Sequence, residues 1–419
     1  MTSTARGSRL RNTPFMVRES TANYARAINS NLMQVSIVGR DGKQVTLPGG
    51  REVVEFVNCS YLGLDLHPAV IRASKSVGEQ WGSNFCCARS RFSIEPQRQL
   101  EEDLSELYRG RVITFPSTSA AHISIMPLLA SGVLINESDP PAVTLIFDQF
   151  AHSSMQYLKP VLATEATVLT VPHNSLDALR SEVVAARQRG ETPVYVADGI
   201  YSMGGLAPVR ELVALAEELD FYLYVDDAHG MTIFGERGEG LMLSALDGGH
   251  SDRLILTFSL SKGFGAYGGG LLVPDERWER LVRSYGQIYS FSAAQTFQAV
   301  ESCRAVVELH RQGAVPPLQR QLRDRVALFD ELMGQSLPFS PIRMVPIGDE
   351  ADALSAGEEL LDAGYFASVV FFPIVRRRSA QLRLCLAANH SEQDVRGVAS
   401  ALRSLRDKYA TIGQGEGLE

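Results

Sequence analysis

The sequence predicts an α/β fold built on a mainly parallel β-sheet. Between about residues 110 and 275, short apolar runs alternate with segments of helical periodicity such as LDALRSEVVAARQRG. Runs that are apolar on both faces and separated by helices are typical of a parallel sheet covered on both sides. Four such runs are predicted to be buried strands: VTLIFD (143–148), PVYVADGIY (193–201), FYLYVDDA (221–228) and RLILTFS (253–259).

Chain length and a change of sequence texture predict the domain organisation. A chain of 419 residues is too long for one small core and fits a large domain with a smaller one. After about residue 290, a long helical stretch leads to short strands and a terminal helix, which predicts a small C-terminal α/β domain. We therefore expect an N-terminal segment over 1–50, a large domain over 51–295 and a small domain over 296–419.

The terminal helix has a recognisable start. Ser391-Glu-Gln-Asp394 is similar to a capping box in which Asp replaces the usual Glu or Gln. The apolar residues that follow fall on one helical face, at Val395, Val398, Leu402 and Leu405.

Composition and charge count against several classes of protein. A formal net charge of −8 argues against a nucleic-acid partner, which would need a basic face. No apolar run approaches the roughly 18–20 uncharged residues of a membrane helix. The basic start MTSTARGSRLRN lacks the apolar core of a signal peptide, so we expect a cytoplasmic protein. An odd number of cysteines without CxxC spacing fits neither a disulfide framework nor a zinc site: Cys59, Cys86, Cys87, Cys303 and Cys385.

Polar residues cluster at the ends of the predicted strands. In open α/β sheets, ligands bind beyond the carboxyl ends of the strands. The residues at those ends are Asp148, Asp198, Asp226 and the segment Ser259–Lys262. The last of these belongs to SLSKGFGAYGGG (259–270), where small residues let a ligand approach the backbone closely. Taken alone, Lys262 would be interpreted as an exposed loop lysine.

A second motif, VDDAHG (225–230), changes that interpretation. A pyridine ring that acts as an electron sink needs an acid at its nitrogen, and Asp226 is a candidate for that acid. His229 could then reach the phenolic oxygen of the same ring. The alternative for the Asp–Asp pair is a metal site, but no further ligands follow at the usual spacing, so no metal is expected.

Two further segments fit a ring-bearing phosphate ligand. His152, in FDQFAHSS (147–154), follows a strand, where an imidazole could stack on the ring. Thr118 and Ser119, in FPSTSAAH (115–122), stand at a predicted helix start, where amides and the helix dipole suit a phosphate. Each segment also has an ordinary interpretation, as a loop histidine and a helix cap.

The sequence resembles the α-oxoamine synthases, pyridoxal-phosphate enzymes that join an amino acid to an acyl thioester. Within that family it is most similar to the synthases of α-aminoketone quorum-sensing autoinducers, through FAHSS, the spaced pattern IYS..G.LAP and GYFASVVFFP (364–373). The resemblance runs from about Asn58 to the terminal helix. Its landmarks are NCSYLGL (58–64), LEEDLSELYRG (100–110), DQFAHSS (148–154), DGIYSMGGLAPVRELVALAEE (198–218), VDDAHGMTIFGERGEG (225–240), SLSKGFGAYGGG (259–270) and LRLCLAANHSEQDV (382–395).

The resemblance implies the fold type I, aspartate-aminotransferase-like architecture, with a sheet of the seven-stranded type and a homodimer. It implies that Lys262 carries the cofactor as a Schiff base and moves protons at the α-carbon. It further implies a role for each of the other matching positions: Asp226 at the pyridinium nitrogen, His229 at the phenolic oxygen, His152 stacked on the ring, Thr118, Ser119 and Ser259 at the phosphate, Asp198 and Ser202 lining the site, and Arg383 at the substrate carboxylate.

The implied reaction is condensation of an α-amino acid with an acyl thioester, on coenzyme A or an acyl carrier protein, with loss of carbon dioxide to give an α-aminoketone. Some positions depart from the family pattern. Thr118 and Ser119 stand where Gly and an aromatic residue are usual, Cys59 replaces an Asn, and the acyl-side segment reads NFCCARSRFSIEPQRQ. The acyl carrier and the two substrates therefore stay open.

Two alternatives also stay open. An aminotransferase or another fold type I amino-acid enzyme would share the lysine, the aspartate and the carboxylate arginine. A non-catalytic binding protein on this scaffold commonly loses the lysine or carries a DNA-binding domain, whereas Lys262 is present and the charge is acidic.

Overall fold

The chain forms two compact units. The computed structural model describes residues 13–76, 81–82, 85, 87–246, 249 and 251–409, so the basic start and Cys86 lie outside the described residues. The smaller unit joins the segment that ends at Cys59 to the segment that begins at Gln321. The larger unit is Ser60–Arg320.

Strands and helices alternate along most of the chain. The strands are β1 (Gly39–Asp41), β2 (Gln44–Thr46), β3 (Glu52–Glu55), β4 (Arg111–Phe115), β5 (Val143–Asp148), β6 (Thr167–Val171), β7 (Thr192–Asp198), β8 (Tyr222–Asp226), β9 (Leu254–Ser259), β10 (Gly269–Val273), β11 (Ile342–Gly348), β12 (Tyr365–Phe366), β13 (Ser368–Val370) and β14 (Ala380–Cys385). The α-helices are α1 (Thr13–Asn29), α2 (Pro68–Lys75), α3 (Glu95–Leu107), α4 (Thr118–Ala130), α5 (Ser153–Gln156), α6 (Lys159–Leu162), α7 (Leu176–Gln188), α8 (Val209–Leu219), α9 (Gly240–Ala245), α10 (Glu276–Tyr285), α11 (Gln287–Phe291), α12 (Phe297–Arg311), α13 (Val315–Met333), α14 (Glu350–Asp362) and α15 (Glu392–Tyr409).

The larger unit is built on one seven-stranded sheet, in the order β4-β10-β9-β8-β7-β5-β6. Neighbouring strands from β9 to β6 pair in parallel, and β10 runs antiparallel to both β4 and β9. The prediction of a mainly parallel sheet of fold type I is confirmed. The four strands predicted from apolar runs are β5, β7, β8 and β9. They are neighbours in this sheet, in the order β9-β8-β7-β5.

Two of the predicted strands end earlier than their apolar runs. β7 ends at Asp198, and Ile200 instead forms an isolated bridge to Leu206. The chain between them reverses direction, and Gly204 and Gly205 adopt positive φ angles of 88° and 92° that favour glycine. The apolar run continues past the strand because Ile200 and Tyr201 are themselves buried.

The core explains why the strands are apolar on both faces. Every residue of β5 and of β9 is buried. The helices that follow the strands each turn an apolar face inward, as α7 does with Leu179, Val183 and Ala186. Among the described residues, no helix combines the length and apolar character needed to span a bilayer.

The smaller unit contains two short sheets, one in the order β1-β2-β3-β12 and one in the order β11-β14-β13. Helix α15 begins at the predicted capping box. The amide of Asp394 donates to Ser391 Oγ at 3.0 Å, and the amide of Ser391 donates to Asp394 Oδ2 at 2.8 Å. Asp therefore performs the capping that Glu or Gln usually performs. The predicted apolar face is buried at Val395, Val398, Leu402 and Leu405.

Candidate active site

The carboxyl ends of β7, β8 and β9 bring polar side chains together at one edge of the sheet. Asp198 at the end of β7 is paired in register with Asp226 at the end of β8, and Asp226 is paired with Thr257 of β9. Ser259 ends β9, and Lys262 lies in the turn that follows. Because parallel strands end at the same edge, residues far apart in the chain meet there.

Lys262 stands at one end of a chain of three hydrogen-bonded side chains. Its Nζ lies 2.8 Å from Nε2 of His229, and Nδ1 of the same imidazole lies 2.6 Å from the hydroxyl of Tyr61. Tyr61 is fully buried. An imidazole between an amine and a phenol can accept a hydrogen bond from one and donate to the other.

Asp226 is held by two hydrogen bonds. Its Oδ2 lies 3.1 Å from Nε2 of His122, and its Oδ1 accepts the amide of Ala228 at 3.0 Å. His122 is fully buried, and its Nδ1 lies 2.8 Å from the hydroxyl of Tyr224. The carboxylate is therefore fixed in one orientation by contacts made within the protein.

The two paired carboxyl groups differ in their affinity for protons. Burial raises the pKa of Asp198 well above its usual range, and the neighbouring Asp226 raises it further. Burial acts on Asp226 in the same direction, but the hydrogen bond and charge of His122, together with the charge of Lys262, bring its pKa below the usual range. Asp226 therefore gives up its proton more readily than Asp198 does.

His152 lies in the loop after β5 and caps the short helix α5. Its backbone amide donates to Asp198 Oδ1 at 2.9 Å, and its Nδ1 lies 2.7 Å from Ser154 Oγ. Burial lowers the pKa of this histidine, and the nearby Lys262 adds to the lowering while Asp226 opposes it. A neutral imidazole is suited to stacking on an aromatic ring.

The first turn of α4 forms a candidate phosphate site. Ser117 caps the helix by accepting the amide of Ala120 at 3.1 Å, and Thr118 Oγ1 donates to the carbonyl of Phe258 at 3.1 Å. The first amides of a helix have no partner within the helix, and the helix dipole favours an anion there. The predicted contribution of Thr118 and Ser119 is therefore best supported for their backbone amides.

Glycine at position 269 shapes this part of the site. A Cβ there would lie 2.3 Å from the amide nitrogen of Thr118, so the first residue of β10 must lack a side chain. Ser259 Oγ is already engaged, since it accepts the amide of Ser261 at 3.0 Å. Ser202 lies half-buried in the turn after β7, four residues beyond Asp198.

Arg383 lies in the smaller unit, on the central strand of the three-stranded sheet. Its Nη1 is 3.1 Å from Cys385 Sγ and its Nη2 is 3.9 Å from Cys59 Sγ. The two sulfur atoms are 3.7 Å apart. The departure at Cys59 therefore places a thiol beside the arginine that the family resemblance assigns to the substrate carboxylate.

Sequence reasoning missed His122, Tyr224 and Tyr61 as members of this network. His122 closes the FPSTSAAH segment and lies one helical turn after Thr118, so its spacing was the available signal. Tyr61 belongs to the NCSYLGL landmark. No sequence pattern pairs Tyr224 with His122, because the two residues meet only through packing of α4 on the sheet.

The residues at this sheet edge fit pyridoxal phosphate. A lysine amine is within hydrogen-bonding distance of an imidazole, the carboxyl group of Asp226 is buried nearby, and a helix start with a required glycine beside it can receive a phosphate. Among the described residues, no group of three histidine, cysteine or acidic side chains could hold a metal ion. Fold and site together define a pyridoxal-phosphate-dependent transferase of fold type I.

Comparison with known proteins identifies the family. Residues 95–402 match the family described as aminotransferase class I and II. The chain is 32% identical over 387 residues to 8-amino-7-oxononanoate synthase from Pelobacter propionicus, covering 90% of this chain and 94% of the relative. It is 30% identical over 370 residues to the enzyme of that name from Maricaulis maris, covering 85% and 87%.

Solved structures agree on the fold. A serine palmitoyltransferase from S. paucimobilis, solved with a PLP–myriocin aldimine, superimposes with a TM-score of 0.82 at 21% identity, covering 96% of this chain and all of that one. The 8-amino-7-oxononanoate synthase from Francisella tularensis gives a TM-score of 0.68 at 18% identity, covering 85% and 99%. The chain belongs to the aminotransferase class I and II family and is α-oxoamine-synthase-like. The predicted cofactor and the predicted enzyme class are confirmed.

Proposed function

We propose that this enzyme condenses an α-amino acid with an acyl thioester and releases carbon dioxide, giving an α-aminoketone. The observation that carries the proposal is the amine of Lys262 at 2.8 Å from His229, at the same sheet edge as the ionised Asp226. The names of the relatives, 8-amino-7-oxononanoate synthases, support a condensing enzyme over other members of the family.

Five polar side chains at this sheet edge then have distinct tasks. Pyridoxal phosphate, when bound, supplies an electron sink for the pair of electrons left at the α-carbon. Asp226 holds the proton on the ring nitrogen, and His152 packs against the ring. Lys262 takes the α-proton, and His229 and Tyr61 accept or return a proton at its Nζ through their hydrogen bonds.

Arg383 is proposed to bind the carboxylate of the amino acid. A guanidinium presents paired donors that match a carboxylate. Glu55 supports the neighbouring Cys59 segment, because its Oε2 accepts the amides of Val57 and Asn58 at 2.9 and 2.8 Å. The thiol at position 59 removes the amide group that an Asn would offer, so we expect the carboxylate to depend mainly on Arg383.

The finer resemblance is also proposed here. FAHSS, IYS..G.LAP and GYFASVVFFP favour a product of the α-aminoketone signal type over an intermediate of cofactor synthesis. The acyl donor is coenzyme A or an acyl carrier protein, and the enzyme is cytoplasmic.

Exposed aromatic side chains support a homodimer. Phe92 and Phe291 are 69% and 74% exposed, and Phe85 packs edge-on against Phe92. An isolated bridge between Ala88 and Ala293 joins the two segments that carry them. Large apolar side chains grouped on a surface mark interaction sites.

The test is an absorption spectrum of the purified protein with pyridoxal phosphate, compared with Lys262→Ala. We expect a visible cofactor band that is lost in Lys262→Ala. Lys159→Ala is the control, because Lys159 is a buried lysine whose pKa burial lowers to about 8, yet its Nζ bonds Thr170 Oγ1 at 2.7 Å, away from the site. If any lysine of lowered pKa could hold the cofactor, the band would be lost in Lys159→Ala. A band retained in Lys262→Ala would overturn the proposal.

Substrates separate condensation from transamination. Condensation requires an acyl thioester together with an amino acid and releases carbon dioxide. Transamination requires a 2-oxo acid, and each half-reaction proceeds with one substrate. Turnover that depends on a 2-oxo acid and ignores acyl thioesters would replace the condensing proposal with an aminotransferase.

A further inference from the structure

We propose that His122, held in place by Tyr224, selects Asp226 rather than Asp198 as the ionised carboxylate, and so acts as a positioning residue for the ring nitrogen of the cofactor. This inference rests on the proposed function, because it takes the sheet edge to be the cofactor site. It adds a role for a histidine and a tyrosine that no sequence motif assigned.

The two acids, Asp198 and Asp226, have nearly equivalent positions. Asp198 and Asp226 are paired residues on neighbouring parallel strands, and they are 2% and 5% exposed. Two carboxyl groups this close and this buried do not both ionise readily, because each charge is poorly solvated and repels the other. A contact made by one acid alone therefore decides which of them carries the charge.

Asp226 and Asp198 differ in their hydrogen-bond partners. Asp226 receives the imidazole of His122 at 3.1 Å and the amide of Ala228 at 3.0 Å. Asp198 receives the amide of His152 at 2.9 Å. Two hydrogen bonds, one of them from a side chain, stabilise an anion more than a single backbone amide does. The geometry therefore favours charge on Asp226.

The phenol of Tyr224 determines the direction of the hydrogen bonds that His122 makes. Burial, and secondarily the charge of Asp226, raises the pKa of Tyr224 well above its usual range, so the phenol keeps its proton. A phenol that donates to Nδ1 of His122 leaves the imidazole proton on Nε2, the atom that faces Asp226. Tyr224 thus sets the tautomer in which His122 is a donor to the carboxylate.

Helix α4 carries both His122 and the candidate phosphate site. Thr118 and His122 are separated by one helical turn, so one helix presents its first amides toward the phosphate site and its imidazole toward Asp226. A single rigid element therefore serves both the anionic end and the ring-nitrogen end of the ligand. Beyond His122 and Tyr224, the charged or titratable groups that interact with Asp198 and Asp226 are Asp148 at the end of β5, His152 after that strand, Asp227 next to Asp226, and Lys262 after β9.

The test compares three variants. His122→Phe keeps a ring but removes the donor, His122→Gln places an amide nitrogen at about the position of Nε2, and Tyr224→Phe removes only the phenol hydroxyl. For each we would measure the dissociation constant of pyridoxal phosphate from apoenzyme, the pH dependence of the cofactor absorption band, kcat and KM.

We expect His122→Phe to weaken cofactor binding and lower kcat by about 10- to 100-fold, the range for loss of a hydrogen bond to a buried charge. KM for the amino acid should change little. The acid limb of the pH profile should move to higher pH, because Asp226 becomes easier to protonate. His122→Gln should recover most of the affinity, and Tyr224→Phe should fall between the two.

His173→Phe is the matched control, because His173 Nδ1 contacts the buried Asp148 at 3.0 Å at the same sheet edge, two strands from β8. It should leave the cofactor band and its pH dependence unchanged. Wild-type cofactor affinity and pH dependence in a folded His122→Phe would overturn the inference, as would an equal shift in His173→Phe. If His122→Phe fails to fold, the other two variants decide. Wild-type cofactor affinity in both His122→Gln and Tyr224→Phe, with no pH shift of the absorption band in Tyr224→Phe, would then overturn the inference. Failure of the wild-type protein to bind pyridoxal phosphate would instead overturn the proposed function.

Discussion

Asp198 and Asp226 lie opposite each other at the ends of neighbouring parallel strands, yet only Asp226 is contacted by the imidazole of His122. The pKa of Asp198 is raised and that of Asp226 is lowered, so two chemically identical side chains differ in their affinity for a proton. The ionised acid can hold a proton on a pyridine nitrogen, and the protonated acid can donate a hydrogen bond. The site therefore uses one anion where the sequence offers two.

Substitution of the two acids should have unequal effects. Asp226→Asn removes the anion that holds the ring-nitrogen proton, so we expect kcat to fall by about 100-fold or more. Asp198→Asn replaces a protonated acid by a neutral amide whose oxygen can still accept the His152 amide, so we expect a loss of under about 10-fold. Steady-state kinetics on both variants at one pH checks this, and equal losses would contradict the assigned charges.

Arg383 should control affinity for the amino acid. Arg383→Met is expected to raise KM for the amino acid by about 100-fold, with KM for the acyl thioester changed much less, because a bidentate charge-assisted pair is lost on one substrate only. Arg377→Met is a suitable control, since the side chain of Arg377 is half exposed and bonds Glu19 at the surface. An equal rise in KM for both substrates would indicate a general structural defect.

The exposed aromatic side chains give a test of assembly. A double variant, Phe92→Glu with Phe291→Glu, should weaken a homodimer because two carboxylates would be buried without partners. Sedimentation equilibrium should then show a shift toward monomer. Val184→Glu, at a 39%-exposed position on α7, introduces the same charge elsewhere and should leave the assembly unchanged. A wild-type protein that is monomeric at all concentrations would refute the dimer itself.

Stability should fall as the pH rises toward neutrality because of Asp227. This side chain is fully buried, and burial raises its pKa to about 7. The folded state therefore keeps a proton that the unfolded state releases above its ordinary pKa of 3.8, so the stabilisation present at low pH is lost between about pH 4 and pH 7. Asp227→Asn should flatten this dependence by at most about 4 kcal/mol. Urea unfolding at pH 5 and pH 8 measures it, and an unchanged slope would contradict the prediction.

The sequence predicted the fold because its main signals are local. VTLIFD became β5 without a change of boundary, and the Ser391–Asp394 box begins α15 through the two reciprocal hydrogen bonds that its spacing predicts. Apolar runs and caps act over a few residues, so they can be identified before the chain is folded. The positions of Asp198, Asp226 and Lys262 at strand ends followed from the same local patterns.

The difference in proton affinity between the two acids depends on tertiary structure. The strand-end pattern alone did not distinguish Asp198 from Asp226, and the family resemblance assigned Asp226 to the ring nitrogen without a physical reason for the difference in charge. The difference arises because packing of α4 brings His122 to one of them, and because Tyr224 lies where it can orient that imidazole. The chemistry-bearing residues were thus determined by the sequence, whereas their charges depend on burial and on contacts between residues about 100 positions apart.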